Sequence, residues 1–140
     1  MQTLGSDLSI DPTVEQLVGV YLDNLSRNPF LPGYLISEVH HHPDRITGMF
    51  SAALGAAPRG VMAPLLVKLG LQIDAEVAAG TMRPIAPDQL VLNVLSLCIF
   101  PFAAPPMLRV AFGMDDDAFA RFIEQRRTEL PTFIRNALRP

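Results

Sequence analysis

Three consecutive histidines, His40, His41 and His42, follow Glu38. On a helix, Glu38 lies three residues from His41 and four from His42, so each pair shares a face. That spacing suits carboxylate–imidazole metal ligation. A di-iron bundle, however, needs two Glu-x-x-His helices and two further carboxylates, and this chain holds one copy. The preferred reading is a solvated helix end, where His suits the negative end of the helix dipole. The alternatives are pocket lining, or a small helical metal-binding protein or enzyme built on Glu38 and His40–His42.

Cys98 is the single cysteine. It excludes an intramolecular disulfide framework and any multi-cysteine metal site. Its surroundings in sequence are strongly apolar, which predicts a buried, inert thiol with a raised pKa. Asn93 and Ser96 lie in the same apolar stretch and need polar partners once buried. They fit either a subunit seam, fixing its register, or a ligand. Tyr21 and Tyr34 are the only tyrosines, each on or beside an apolar stripe where a phenol serves the core or orients a ligand. No Ser-His-Asp order, phosphate loop, zinc spacing or nucleophile elbow occurs. No catalytic residue, cofactor or metal ligand is therefore assigned, and the chain is not expected to be an enzyme.

The elements that carry these residues read as helices throughout. Strand alternation and hairpin turns are missing, and prolines stand near the start of successive apolar periodic segments. The first helix is predicted from about Pro12 to Arg27, with Asp11 as N-cap and Val14, Leu17, Val18, Tyr21, Leu22 and Leu25 as its apolar stripe. A second runs from Pro29 to His42. Asp44 is expected to cap a short third helix carrying Ile46, Met49, Phe50, Ala53 and Leu54. The next spans Val61 to Ala79, with Pro64 in its first turn and Gly80 as its stop. Pro87 opens the most apolar segment, Leu90 to Phe102, which its composition predicts to be buried on all sides, with Pro101, Pro105 and Pro106 expected to end it. A short Met107–Phe112 piece follows. Asp115, Asp116 and Asp117 then begin a last helix to about Leu138, with Pro131 expected to kink it.

The chain has 140 residues, one domain's worth at roughly 100–200 residues per domain. Apolar residues make up 49% and charged residues 18%, which is globular and not disordered. Eleven basic against fourteen acidic residues give a net charge of −3, unlike a cationic nucleic-acid binder. The scattered arginines of the last helix, Arg121, Arg126, Arg127, Arg135 and Arg139, read as solvated cover partnered by Glu124 and Glu129. A lone cysteine favours a reducing, cytoplasmic setting, and residues 1–10 lack the order of a signal peptide. Leu90 to Leu108 has about the length of a membrane span. Pro101 would stop it after about fourteen residues, or ~21 Å at 1.5 Å per residue, against a hydrocarbon core of ~30 Å. Burial at a subunit interface fits better than a membrane.

Four stretches carry a resemblance: "DPTVEQLVGVYLDNLSRNP", "LISEVHHHPDRI", "AEVAAGTMRPIAPDQLVLNVLSLCIFPFAAPPML" and "DDDAFARFIEQRRTELPTFIRNAL". In this order they resemble the C-terminal regulatory domain of the TetR (tetracycline-repressor-like) family of transcription regulators. The resemblance implies an all-α antiparallel bundle over residues 11–140 after an N-terminal stub or linker, 1–10. It implies a homodimer through the last two long helices, placed on Leu90, Val94, Leu97, Phe119, Phe122, Ile123, Arg126, Leu130 and Phe133. It further implies a pocket for a small apolar or amphipathic ligand, placed on Leu17, Tyr21, Tyr34, Met49, Phe50, Leu66, Leu69, Asn93 and Phe102. Such regulators read DNA with a helix-turn-helix unit ahead of this domain. Residues 1–10 hold no such pattern, so the chain alone is expected to be an isolated regulatory domain that does not bind an operator.

Overall fold

The computed structural model describes residues 9–45, 48 and 58–140. These form six α-helices and one short 3-10 turn, with no strand among the described residues. The helices are α1 (Ile10–Arg27), α2 (Leu31–His41), α3 (Pro58–Ala78), α4 (Pro87–Ala103), α5 (Pro105–Phe112) and α6 (Asp116–Ala137); the 3-10 turn is Pro43–Arg45. The all-helical expectation holds. Of the short helix expected after Asp44, residues 46, 47 and 49–57 lie outside the described residues, Met49 and Phe50 included.

α4 is the central element and packs against each of the other five α-helices. Its inward face carries Leu90, Val91, Val94, Cys98 and Phe102, all buried. Val14, Val18 and Leu22 of α1, Leu69 and Ile73 of α3, and Ile123, Leu130 and Ile134 of α6 complete the core. Leu17, Tyr21 and Leu25 flank it half-buried, so the predicted stripe of α1 is the face that turns inward.

Charge pairs tie α1 to α6 along their length. Arg135 bonds Asp11 and Glu15 near the start of α1, and Arg127 bonds Asp23 near its end. The two helices are therefore antiparallel. Arg83, just before α4, donates from its backbone N–H to the Leu138 carbonyl at 2.9 Å and from Nε to the Ala137 carbonyl at 2.8 Å. At the other end of α4, the Phe102 ring meets the Phe119 ring edge-on, with centroids 6.4 Å apart. These contacts make α4 antiparallel to α6 as well.

Several local expectations need correction. α1 begins at Ile10, inside the span read as a stub, and its N-cap position is Ser9. Asp11 is a first-turn residue turned to Arg135. Pro64 lies inside α3, beyond its first turn. α4 continues through Pro101 to Ala103, and α5 starts at Pro105, where proline suits a first turn. α6 likewise runs through Pro131. The predicted boundaries at Gly80 and Asp115 match the structure. Gly80 has φ +76°, the left-handed conformation that suits glycine after a helix, and the Asp115 side chain accepts from the Ala118 N–H at 2.8 Å.

No single helix among the described residues is long and apolar enough to cross a membrane. α4 and α5 reach the length and composition only together, and they are bent by 75° at their junction.

Candidate functional site

Within the single chain α4 is not covered on all sides; the burial that its composition predicts is expected at a subunit interface. Leu92 and Phe100 are 58% and 52% exposed, and Asn93 and Ser96 share that open side. On α6 the neighbouring surface carries Phe133, 58% exposed, with Phe122 half-buried. A groove of about 290 Å³ joins the two helices, lined by Asn93, Ser96 and Leu97 on one side and by Phe133 and Ala137 on the other. The groove is mostly apolar, with Asn93, Ser96 and Arg83 as its polar lining residues among the described residues.

Arg126 of α6 reaches across to α4 beside this groove. Arg126 is half-buried, its guanidinium 5.6 Å from the Phe122 ring centroid, and its Nη2 donates to the Leu97 carbonyl at 2.7 Å. Helix geometry explains the bond. Leu97 would ordinarily accept from the N–H four residues on, but that residue is Pro101, which has none. Arg126 supplies the missing donor from another helix. Its Nε is buried without a hydrogen-bond partner. Burial lowers its pKa, opposed by the nearby Cys98 and Glu129. Arg126 is thus not solvated cover.

A second concavity, of about 520 Å³, lies at the corner where α2, α4, α5 and α6 meet. Phe30, Phe102, Phe119 and Pro105 give it apolar walls, and Arg109 is the one charged lining residue among the described residues. The Arg109 guanidinium stands 5.0 Å from the Phe119 ring centroid and pairs through Nη1 with Asp116. A more open groove of about 490 Å³ runs between Ile73 and Val77 of α3 and the Pro84–Ala86 strip.

The expected ligand residues do not converge on one cavity among the described residues. Leu17, Tyr21 and Leu66 pack half-buried against the core. Leu69 is fully buried, so a larger side chain there would overpack the interior instead of filling a space. Tyr34 is 56% exposed, Asn93 faces the α4–α6 groove, and Phe102 lines the corner cavity. Of the expected dimer residues, Leu90, Val94, Ile123 and Leu130 are buried within the single chain. Leu97, Phe119, Phe122 and Arg126 are half-buried, and Phe133 is exposed.

The histidines are exposed. His41 Nδ1 lies 2.9 Å from the Ser37 carbonyl, and Glu38 pairs with Arg45 at 3.5 Å. Among the described residues no three His, Cys, Asp or Glu groups are placed to hold a metal ion. Cys98 is fully buried, and burial pushes its thiol up to about 11, with Arg126 opposing. Burial also raises Tyr21, and Cys98 adds to that shift.

Sequence reasoning did not single out Phe30, Leu92, Phe100 or Arg109 as site residues. Leu92 and Phe100 offered a signal, since each is a large apolar residue off the inward stripe of α4, and Phe30 offered one as a large apolar residue in the turn before α2. Arg109 offered none, because its role depends on Phe119 and Asp116 being folded back onto α5. No family model, curated protein or solved structure matches the chain.

Proposed function

We propose that the chain is the dimerising, ligand-sensing regulatory domain of a TetR-type transcription regulator. The α4–α6 face is the observation that carries this reading. Leu92, Phe100 and Phe133 expose apolar surface that a lone subunit leaves in water, where larger apolar patches mark association sites. Two copies related by a two-fold axis would cover it with the same face, as isologous dimers do. Asn93 and Ser96 would set the register of that seam.

In the intact regulator, ligand held among the helices favours one arrangement of the paired bundle over another. Such a ligand acts only through its differential affinity for the two states. DNA is reached through a helix-turn-helix unit joined ahead of α1, since the acidic balance of this chain gives little attraction to phosphate.

The test joins a DNA-reading unit to α1 through a continuous helix and titrates a duplex with two half-sites by fluorescence anisotropy. The fusion is expected to bind as a dimer, and Phe133→Asp to lose that binding while keeping its helical circular dichroism. Binding as a monomer with unchanged affinity in the Phe133→Asp fusion refutes the reading.

A further inference from the structure

We propose that the corner cavity binds a small carboxylate with an apolar tail, its headgroup held by Arg109. This rests on the ligand-sensing reading above and adds the place and chemical class of the ligand. The volume, about 520 Å³, falls in the range of small-molecule sites, ~300–1,000 Å³. Phe30, Phe102 and Phe119 offer three rings to a tail. Phe30 is 87% exposed at the rim and gains cover when a tail enters.

Arg109 gives the cavity its polarity. A guanidinium has five N–H donors in a planar fork. Here Nη1 alone is engaged, by Asp116, and Nε and Nη2 have no partner among the described residues. The group already lies against Phe119, so its position is set before an anion arrives. Asp116 itself is 87% exposed and sits in the first turn of α6, where a carboxylate is favoured with or without Arg109. An incoming carboxylate can therefore take the free edge of the fork or replace Asp116 on it.

Among the described residues lining the cavity, no other side chain is charged. The first turn of α5 is Pro105-Pro106, which has no N–H to donate, and the Met107 N–H is engaged by the Ala104 carbonyl. Among the described residues, headgroup selectivity thus rests on Arg109. Gly33 keeps the space between α2 and the end of α4 open. A Cβ there would stand 3.9 Å from the Ala103 carbonyl oxygen, an ordinary contact, whereas a longer side chain would enter the cavity.

The test uses three probes with one tail, decanoate, decanol and decyltrimethylammonium, below their micelle-forming concentrations, titrated calorimetrically into the full chain. Decanoate is expected to bind at least about tenfold more tightly than decanol, as a charge-assisted hydrogen bond implies. Decyltrimethylammonium should be weakest. Arg109→Gln should bring decanoate down to the affinity of decanol and leave decanol unchanged. Arg109→Lys should fall between, and Gly33→Leu should weaken both. Equal binding of decanoate and decanol, tighter binding of the ammonium probe, or no binding of any probe overturns the proposal. So does a decanoate preference that survives Arg109→Gln. A DNA response of the fused regulator to some other ligand, with no decanoate preference, would leave the regulatory reading standing and sink this one. The decanoate preference in a chain that does not dimerise would do the reverse.

Discussion

The backbone N–H of Ile10, in the first turn of α1, donates to Glu76 Oε2 of α3 at 2.7 Å. The cap that a helix ordinarily finds next door in sequence comes here from 66 positions away. Ser9, at the N-cap position, makes no side-chain cap bond. The other Glu76 oxygen accepts from the Thr81 hydroxyl, so one carboxylate joins α1, α3 and the turn after α3. Glu76→Ala is expected to lower unfolding free energy by about 1–2 kcal/mol, in the range of a lost cap. Glu76→Gln, which keeps an acceptor oxygen, should lose less. Urea denaturation of the two variants measures the difference, and equal losses would show that the carboxamide does not replace the cap.

Arg126 and Pro101 should be energetically coupled. Arg126→Leu leaves the Leu97 carbonyl without its donor, at an expected cost of about 1–3 kcal/mol for an unsatisfied buried group. Pro101→Ala restores a backbone N–H four residues on, so the cost of Arg126→Leu should shrink in that background. A double-mutant cycle reads the coupling directly. Strict additivity would mean that the bond to Leu97 contributes little.

Substitutions on the α4–α6 face separate association from folding. Leu92→Asp and Phe133→Asp change residues 58% exposed in the single chain, so each should keep its helical signal and thermal transition as a monomer. Sedimentation velocity at micromolar concentration should show a dimer for the native chain and a monomer for both variants. Leu130→Asp, at a 2% exposed position, should instead unfold the domain. A native chain that sediments as a monomer removes the basis for the paired reading.

Cys98 predicts how stability falls in alkali. Burial raises its folded pKa from 9.0 to about 11, so the folded chain holds the thiol proton more tightly than the unfolded chain. The stability this provides is complete below about pH 9. It declines as pH rises toward 11, because the unfolded state ionises first. Tyr21, also raised by burial, acts in the same direction at higher pH. Cys98→Ala should flatten the fall between pH 9 and 11. In the native chain, alkylation at pH 8 should proceed only as fast as the fold opens.

Much of the helical plan was legible because its signals are local. Gly80 and Asp115 mark boundaries through their own backbone and side-chain chemistry, and the period of α1 named its inward face. Pro101 misled because the carbonyl it deprives, that of Leu97, finds another donor in Arg126, 25 residues beyond Pro101. α4 misled because an apolar composition gives no sidedness; Leu92 and Phe100 face outward although they resemble their buried neighbours. The corner cavity was invisible for a related reason. Periodicity tells which face of a helix turns inward, not whether the facing helices fill the space, and Phe30 and Phe119 meet there only after the intervening chain has folded.

Among the described residues α4 packs against each of the five other helices, and no other helix does so. Opening that includes α4 removes contacts from every other described helix at once. Amide protons from Leu90 to Cys98 should therefore be among the slowest to exchange with solvent, each waiting for the whole chain to come apart. For a protease the same arrangement leaves little middle ground: cleavage in the core needs global unfolding, and the lifetime of the intact molecule follows its total stability more than the looseness of any one segment.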